Sequence, residues 1–318
     1  MMLAFPSVAH AFKIHFNQAW FKTHYAHSYR QGFFDPLEVR RIMNLAKEAG
    51  SDELRLWFFE SSVGSIPKPT EISHMIQTLK IAQAQGMRVY FTFFDAWSQA
   101  QIGSLFTEQG SNRFLHRVVI PLFHRIESEG LSDVISKIDL VNEGDALIDR
   151  KIIPGGWEDL KSFICQWKVS IHTVNTFRKI PITLSLRLNP YASLPADLFE
   201  QTGTMECVDF FDFHSYHTQG VIEQCDLLKR YSDLNLKNLV LGEFGQGYDA
   251  QQFDDQLQLE NAKSYLNNAQ ACGFKEAFAW RLSDIRPGEN PEARFSYEAF
   301  GTVRPAYYFV RDWNHSQH

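Results

Sequence analysis

A closed (β/α)8 barrel in a single domain is the fold class that this sequence predicts. Three observations carry it. Eight short apolar runs are spread along the chain, and each is followed by a segment of helical periodicity. The runs are apolar on both faces, as in parallel strands covered by helices. The 318 residues leave room for such a barrel with insertions, since the fold takes roughly 250. No composition shift or linker divides the chain, so residues 1–318 are read as one unit.

The elements follow in order. Phe12-Lys-Ile-His-Phe-Asn17 alternates and is rich in β-formers, which predicts the first strand. The next loop carries Trp20, His24, Tyr25 and His27. Asp35-Pro36 is an N-cap with proline at the first helical position, and Gly50 ends that helix after Ala49. Glu53 to Phe59 is the second strand, with Glu60 in the loop beyond it. A helix from about Glu71 to Gln85 stops at Gly86, and Arg88 to Phe94 is the third strand. A helix over about 113–129, interrupted near Pro121, leads to the fourth strand, Ile138 to Asn142. A long amphipathic helix over about 157–178 precedes the fifth strand, Ile182 to Leu186. A short helix near 194–201 precedes the sixth strand, Val208 to His214. Helices over about 222–231 and 254–271 flank the seventh strand, Leu239 to Leu241. Glu276 to Trp280 is the eighth strand, and a helix over about 305–313 closes the chain.

Bulk properties exclude several classes. The net charge is -6, so no basic surface recommends nucleic acid or an anionic membrane. No apolar run is long enough for a transmembrane helix. The 27 phenylalanines predict a large aromatic core. The four cysteines lack metal-ligand spacing and are expected to be buried free thiols, with two disulfides as the alternative. Residues 1–11 read either as a signal-peptide remnant or as a leader into the first strand, the second being preferred. Secreted, periplasmic and cytoplasmic locations all stay open, and a monomer is expected. Asn314-His-Ser316 matches a glycosylation sequon.

In such barrels the active site lies at the C-terminal ends of the strands. The polar residues expected there are Arg55, Asp95 and Trp97, Asn142 and Glu143 with Asp145, Arg187 and Asn189, His214, Tyr216 and His217, Glu243, and Trp280, Arg281 and Asp284. Glu143 and Glu243 end apolar strands on opposite sides of the mouth. Paired carboxylates of this kind suit glycoside hydrolysis, where one donates a proton and the other attacks or activates water.

These residues resemble a known group. Asn142-Glu143 ending the fourth strand and Glu243 ending the seventh are similar to the signature of the retaining clan A glycoside hydrolases. The likeness is to family 5, the cellulase and mannanase type, in particular. It extends to Arg55, to His214-Ser-Tyr216 and to Trp280, across essentially the whole chain. The resemblance implies a general acid/base at Glu143 and a nucleophile at Glu243. It implies that Asn142 binds the sugar 2-hydroxyl, Tyr216 and Arg55 hold Glu243, His214 borders the site, and Trp280 lies under the sugar. Asp95 and Trp97 are expected to bind substrate at the end of the third strand. The family's usual strand-three histidine is missing, with Asp95 as its candidate replacement. Gly144 stands where proline is common.

The function expected is therefore hydrolysis of β-linked oligo- or polysaccharides, of β-glucan or β-mannan type, without cofactor or metal. Two alternatives stand beside it. A metal-dependent barrel of sugar-isomerase or endonuclease-like type would use Glu143, His214, Glu243 and Asp284 as ligands. A catalytically inactive barrel would only bind carbohydrate. Trp57, within its strand, is read as barrel packing, and Trp20 as a cap.

Overall fold

The computed structural model describes residues 12–21, 28–59, 66–97, 100–188, 207–235, 237–245, 254–284, 294–299 and 301–316. Expectations for residues 1–11, His24, Tyr25, His27, Glu60, Asn189 and the helix near 194–201 lie outside these residues.

A parallel sheet forms the barrel. It runs β1 (Lys13–Gln18), β2 (Glu53–Trp57), β3 (Arg88–Asp95), β4 (Ile135–Asn142), β5 (Ile182–Thr183), β6 (Ser185–Arg187), β7 (Phe211–Ser215), β8 (Leu239–Phe244) and β9 (Glu276–Ala279). The hydrogen-bonded order is β5-β4-β3-β2-β1-β9-β8-β7-β6. β5 and β6 are two pieces of one strand, interrupted at Leu184. The first piece pairs with β4 and the second with β7, so this broken fifth strand closes the ring.

The helices packed outside are α1 (Pro36–Glu48), α2 (Pro69–Gln85), α3 (Glu108–Phe114), α4 (Ile120–Ser128), α5 (Asp145–Asp149), α6 (Trp157–Ile171), α7 (Thr218–Glu223), α8 (Cys225–Asn235), α9 (Asp255–Ala271) and α10 (Pro305–Ser316). Local chemistry sets their ends. The Asp35 carboxylate accepts from the backbone N–H of Leu37 at 3.0 Å and of Glu38 at 3.4 Å, capping α1. Gly86 ends α2 at φ 66, where a side chain would be strained. The predicted interruption near Pro121 is a π-helical turn, Leu115–Val119, between α3 and α4. The predicted helix over 157–178 ends earlier, at Ile171, because a 3-10 turn at Asn175–Phe177 follows it.

The phenylalanines build the layer between sheet and helices. Phe59, just past β2, and Phe91, Phe93 and Phe94 of β3 face outward and meet Phe114, Phe123 and Trp167 from the helices. The cysteines depart from the free-thiol expectation. Cys165 is bonded to Cys207, and Cys225 to Cys272. Cys165 lies in α6 and Cys207 in the segment before β7; Cys225 opens α8 and Cys272 follows α9. Asn314 is also explained by the fold: its side chain bonds the backbone of Ile14 and Ala49 and is buried, which withholds it from glycosylation once folded. Among the described residues no helix is long and apolar enough to cross a membrane.

Inside the barrel the side chains form layers. At the N-terminal end, Lys137 bonds Glu53 at 2.6 Å and Glu276 at 2.7 Å, with His15 beside them. Tyr90, Phe210, Val240 and Phe278 fill the next layer. Above it lie Arg55 and its carboxylates, and then the mouth.

Candidate active site

The strand ends converge on a cavity of about 340 Å³, lined by Asp95, Trp97, Asn142, Glu143, Tyr216, Glu243 and Trp280 among others. Its apolar wall is aromatic. Trp20, Trp57 and Trp280 pack edge to face, with ring centroids 5.4–5.9 Å apart, and Phe295 joins them. Trp57 lines the cavity rather than packing inside the barrel, because its strand ends just where the mouth opens. Trp20 lines it too.

Glu143 follows β4 with φ 52, a backbone conformation that side-chain-bearing residues rarely adopt. Its backbone is held there. The Glu143 N–H donates to Ser185 Oγ at 2.9 Å, and its carbonyl accepts from Ala146 N at 2.8 Å. The next residue explains the missing proline. Gly144 N–H donates to the Ser185 carbonyl at 3.0 Å, a bond proline cannot make. A Cβ at Gly144 would also stand 2.5 Å from Leu184 Cδ1.

Glu243 is reached from β8, where the register with β7 shifts so that His214 pairs with Glu243. The two glutamates meet around His214. Its Nδ1 lies 3.2 Å from Glu143 Oε1 and 3.4 Å from Glu243 Oε1. An oxygen of each glutamate and a nitrogen of His214 all lie within 4.8 Å of one another.

The other partners separate the two carboxyls. Arg55 Nη1 donates to Glu243 Oε1 at 2.6 Å, and Tyr216 Oη donates to Glu243 Oε2 at 2.5 Å. Glu143 receives the indole N–H of Trp97. Burial pushes both carboxyls above the usual range. His214 and the guanidinium of Arg55 pull Glu243 back, while Trp97 and the more distant Arg187 and Arg55 act on Glu143. Since, among the described residues, Glu243 alone has a cation bonded to it, we assign it the stronger tendency to ionise. Burial pushes the His214 imidazole down to about 3, so the ring is neutral at ordinary pH.

Arg55 is the hub, and it is fully buried. Besides Glu243, it bonds Asp139 at 2.6 Å, Asn142 Oδ1 at 2.8 Å and Asn17 at 3.2 Å. Its guanidinium lies 4.3 Å from the Trp57 ring centroid. Asn142 is thereby oriented: Oδ1 accepts from Arg55, and Nδ2 donates to Asp95 at 3.1 Å. Asp95 also accepts the Trp97 backbone N–H at 3.1 Å. Burial holds Asp95 up at about 7 despite those two bonds.

The remaining candidates take other places. Arg187 bonds Asp145 at 2.8 Å and also Asp149, and it stands 5.5 Å from the Trp97 ring. Asp284 is ion-paired to Arg281 and does not line the cavity. His217 lies beyond β7 and does not line the cavity either. Asn17, Tyr90, Asp139, Ser185 and Asp212 were not singled out from the sequence. Their signal was available for Asp139 and Asp212: a charge inside an apolar strand needs a buried partner, as Arg55 does.

Among the described residues, two clusters have ligand-like geometry. In His15–Glu53–Glu276 the Lys137 ammonium already stands between the carboxylates. In Glu143–His214–Glu243 the guanidinium of Arg55 stands 2.6 Å from Glu243, a poor neighbour for a dication. The fourth ligand of the metal reading, Asp284, is not there to complete the second cluster.

No protein-family model and no curated protein sequence matches this chain. Solved structures match at low identity. The exo-beta-1,4-mannosidase from Opitutaceae bacterium strain TAV5 gives a TM-score of 0.70 at 15% identity over 96% of this chain, which spans 59% of that protein's chain. The hyperthermostable endo-1,4-beta-D-mannanase from Thermotoga petrophila RKU-1 gives 0.68 at 14% identity, covering 96% and 99% of the two chains. A GH5_18 protein from Streptomyces cattleya, solved with Manb1-4GlcNAc, gives 0.75 at 13% identity over 96% and 80%. At these identities the likeness is one of fold: the chain is a (β/α)8 barrel of the kind found in this mannosidase, mannanase and GH5_18 protein.

Proposed function

We propose that the chain is a retaining glycoside hydrolase of family 5 type, acting on β-linked mannose-containing glycans. The observation that carries this reading is the pair of buried glutamates with oxygens within 4.8 Å of each other, only one of them, among the described residues, bonded to a guanidinium. Retaining enzymes hold their two carboxyls about 5–5.5 Å apart, and inverting ones leave a wider gap for water. The close pair therefore supports double displacement.

In that reaction Glu143 donates its proton to the leaving oxygen while Glu243 attacks the anomeric carbon. Water, deprotonated by Glu143, then releases the sugar from Glu243. Arg55 and Tyr216 keep Glu243 ionised and aimed. Asn142 presents its amide to the 2-hydroxyl of the bound sugar, with Asp95 fixing that amide. The tryptophan wall supplies the apolar contact for a sugar face. The mannose assignment rests on the mannosidase and the mannanase among the fold neighbours.

The test is hydrolysis of an aryl β-mannoside, mannan, β-glucan and xylan, with NMR of the first-formed product anomer. Retained β configuration on the mannosides is expected. An inverted product would refute the double displacement, and a Glu243→Ala variant as fast as the parent would remove the nucleophile. Loss of activity on chelation would restore the metal reading.

A further inference from the structure

A buried carboxyl lies beneath the two glutamates, and the proposed reaction gives it no part. Asp212 stands on β7 two residues before His214, so both side chains point into the barrel. It is 1% exposed. Its Oδ2 is bonded to the Tyr90 hydroxyl. Its Oδ1 faces Nε2 of His214 at 3.7 Å. Neither of these two facing atoms has a hydrogen-bond partner among the described residues. That separation is longer than a hydrogen bond, and leaving both atoms unsatisfied costs each its desolvation, so a proton carried on Oδ1 and turned toward Nε2 lowers that cost.

The backbone is shaped around this carboxyl. The register between β7 and β8 shifts after Phe213, which brings Gly242 beside Asp212. A Cβ on Gly242 would lie 2.0 Å from Asp212 Oδ1. The glycine that precedes Glu243 is thus required by the carboxyl it covers.

We propose that Asp212 is a positioning residue: its carboxyl, 3.7 Å from Nε2 of His214, turns its proton toward that nitrogen and so keeps the Nδ1–H of that ring pointed between Glu143 and Glu243. This rests on the function proposed above, because His214 matters through its place between the two glutamates. In the opposite tautomer the ring would turn a lone pair toward both carboxyls. With Nδ1–H in place, the ring supplies the one neutral donor that both glutamate oxygens can share, at 3.2 and 3.4 Å.

The surrounding charges agree. Arg55 of β2 faces the group, but it is committed to Asp139 of β4 and Glu243 of β8. Tyr90 of β3 faces it with a hydroxyl, and His214 shares its strand. Burial first, then the nearby Asp139 and Glu243, hold the Asp212 carboxyl up at about 8, against the pull of Arg55 and Tyr90. A carboxyl that keeps its proton, facing an imidazole that stays neutral, has the donor and acceptor in the required order.

The experiment is nitrogen-15 NMR of the full chain with labelled histidine, the His214 signals being assigned by a His214→Gln variant. The parent is expected to show the Nδ1–H tautomer at neutral pH, changing with a midpoint near the Asp212 value of about 8. Asp212→Leu should lose that preference and lower kcat on an aryl β-mannoside about tenfold or more, with KM little changed. Asp212→Asn, whose amide can donate to Nε2, should recover tautomer and kcat and abolish the midpoint. An Nε2–H tautomer in the parent, or a tautomer that Asp212→Leu leaves unchanged, would overturn the proposal. The tautomer is read without turnover. A parent inactive on every glycoside would therefore defeat the function proposed above, while the NMR result would still decide the role of Asp212.

Discussion

Arg55→Met tests the hub of the site. Methionine keeps the apolar stem and removes the guanidinium. Arg55 is 0% exposed and binds two carboxylates at 2.6 Å each, Asp139 through Nη2 and Glu243 through Nη1. Their removal from a cation leaves buried charge uncompensated, which costs about 3–5 kcal/mol. That is a large share of the roughly 5–15 kcal/mol that holds a domain folded. The pH dependence follows from Glu243. Burial already raises its carboxyl, and Arg55 is one of the groups pulling it down. Without Arg55 its folded value rises further above that of the unfolded chain. A carboxyl so raised destabilises the fold at high pH, and the loss is relieved as pH falls through the folded value. The variant should therefore be weakest, relative to the parent, under alkaline conditions. Urea denaturation across a pH series measures this. Activity gives a second reading: each unit by which Glu243 rises above the assay pH costs about tenfold in ionised nucleophile, and the acid limb of kcat/KM moves to higher pH. A variant within about 1 kcal/mol of the parent, with an unmoved acid limb, would refute the counter-ion role. Arg55→Lys should rescue little, because one ammonium cannot span Glu243, Asn17, Asp139 and Asn142 as the two ends of a guanidinium do.

Two further predictions concern Trp97 and the cysteines. Trp97→Phe keeps a ring beside the cavity and deletes the indole N–H bonded to Glu143, a bond that lowers the Glu143 carboxyl. The alkaline limb of kcat/KM should move to higher pH; a limb that stays put or moves down would contradict the bond. Thiol titration of the denatured, unreduced protein should find no free cysteine, and four titratable thiols would contradict both pairings. The bonds close loops of 42 and 47 residues, so chain-entropy reasoning gives each about 4 kcal/mol, measurable as a lower urea midpoint after reduction.

Much of this architecture was legible because the barrel repeats one rule. Alternating apolar runs and amphipathic helices gave the strand order, and strand-end position gave the cavity residues from Asp95 to Trp280. What stayed hidden is what depends on packing in the third dimension. Trp57 and Asp139 lie inside apolar strands, and sequence periodicity cannot tell an inward side chain at the mouth from one deeper in the barrel. The interruption at Leu184 splits one predicted strand into β5 and β6, and only closure of the ring shows why both pieces are needed. The pairing of four cysteines has three solutions on paper; neighbouring elements decide between them.

The two departures from the family pattern share a physical origin in the neighbours of Asn142 and Glu143. β3 carries Asp95 where the family has a histidine; Asp95 accepts from the Asn142 amide, and burial raises its carboxyl to about 7. With no proline after Glu143, Gly144 ties the loop to Ser185 by its own N–H, and Ser185 in turn bonds Glu143 N and Asp139. The broken fifth strand thus becomes part of the support for Glu143. A change on β3 and a change after β4 leave the glutamates together because both are absorbed by one network, running from Asp95 through Asn142 and Arg55 to Asp139 and Ser185. Where such a network carries the geometry, motif matching at single positions underestimates how much of a site is intact.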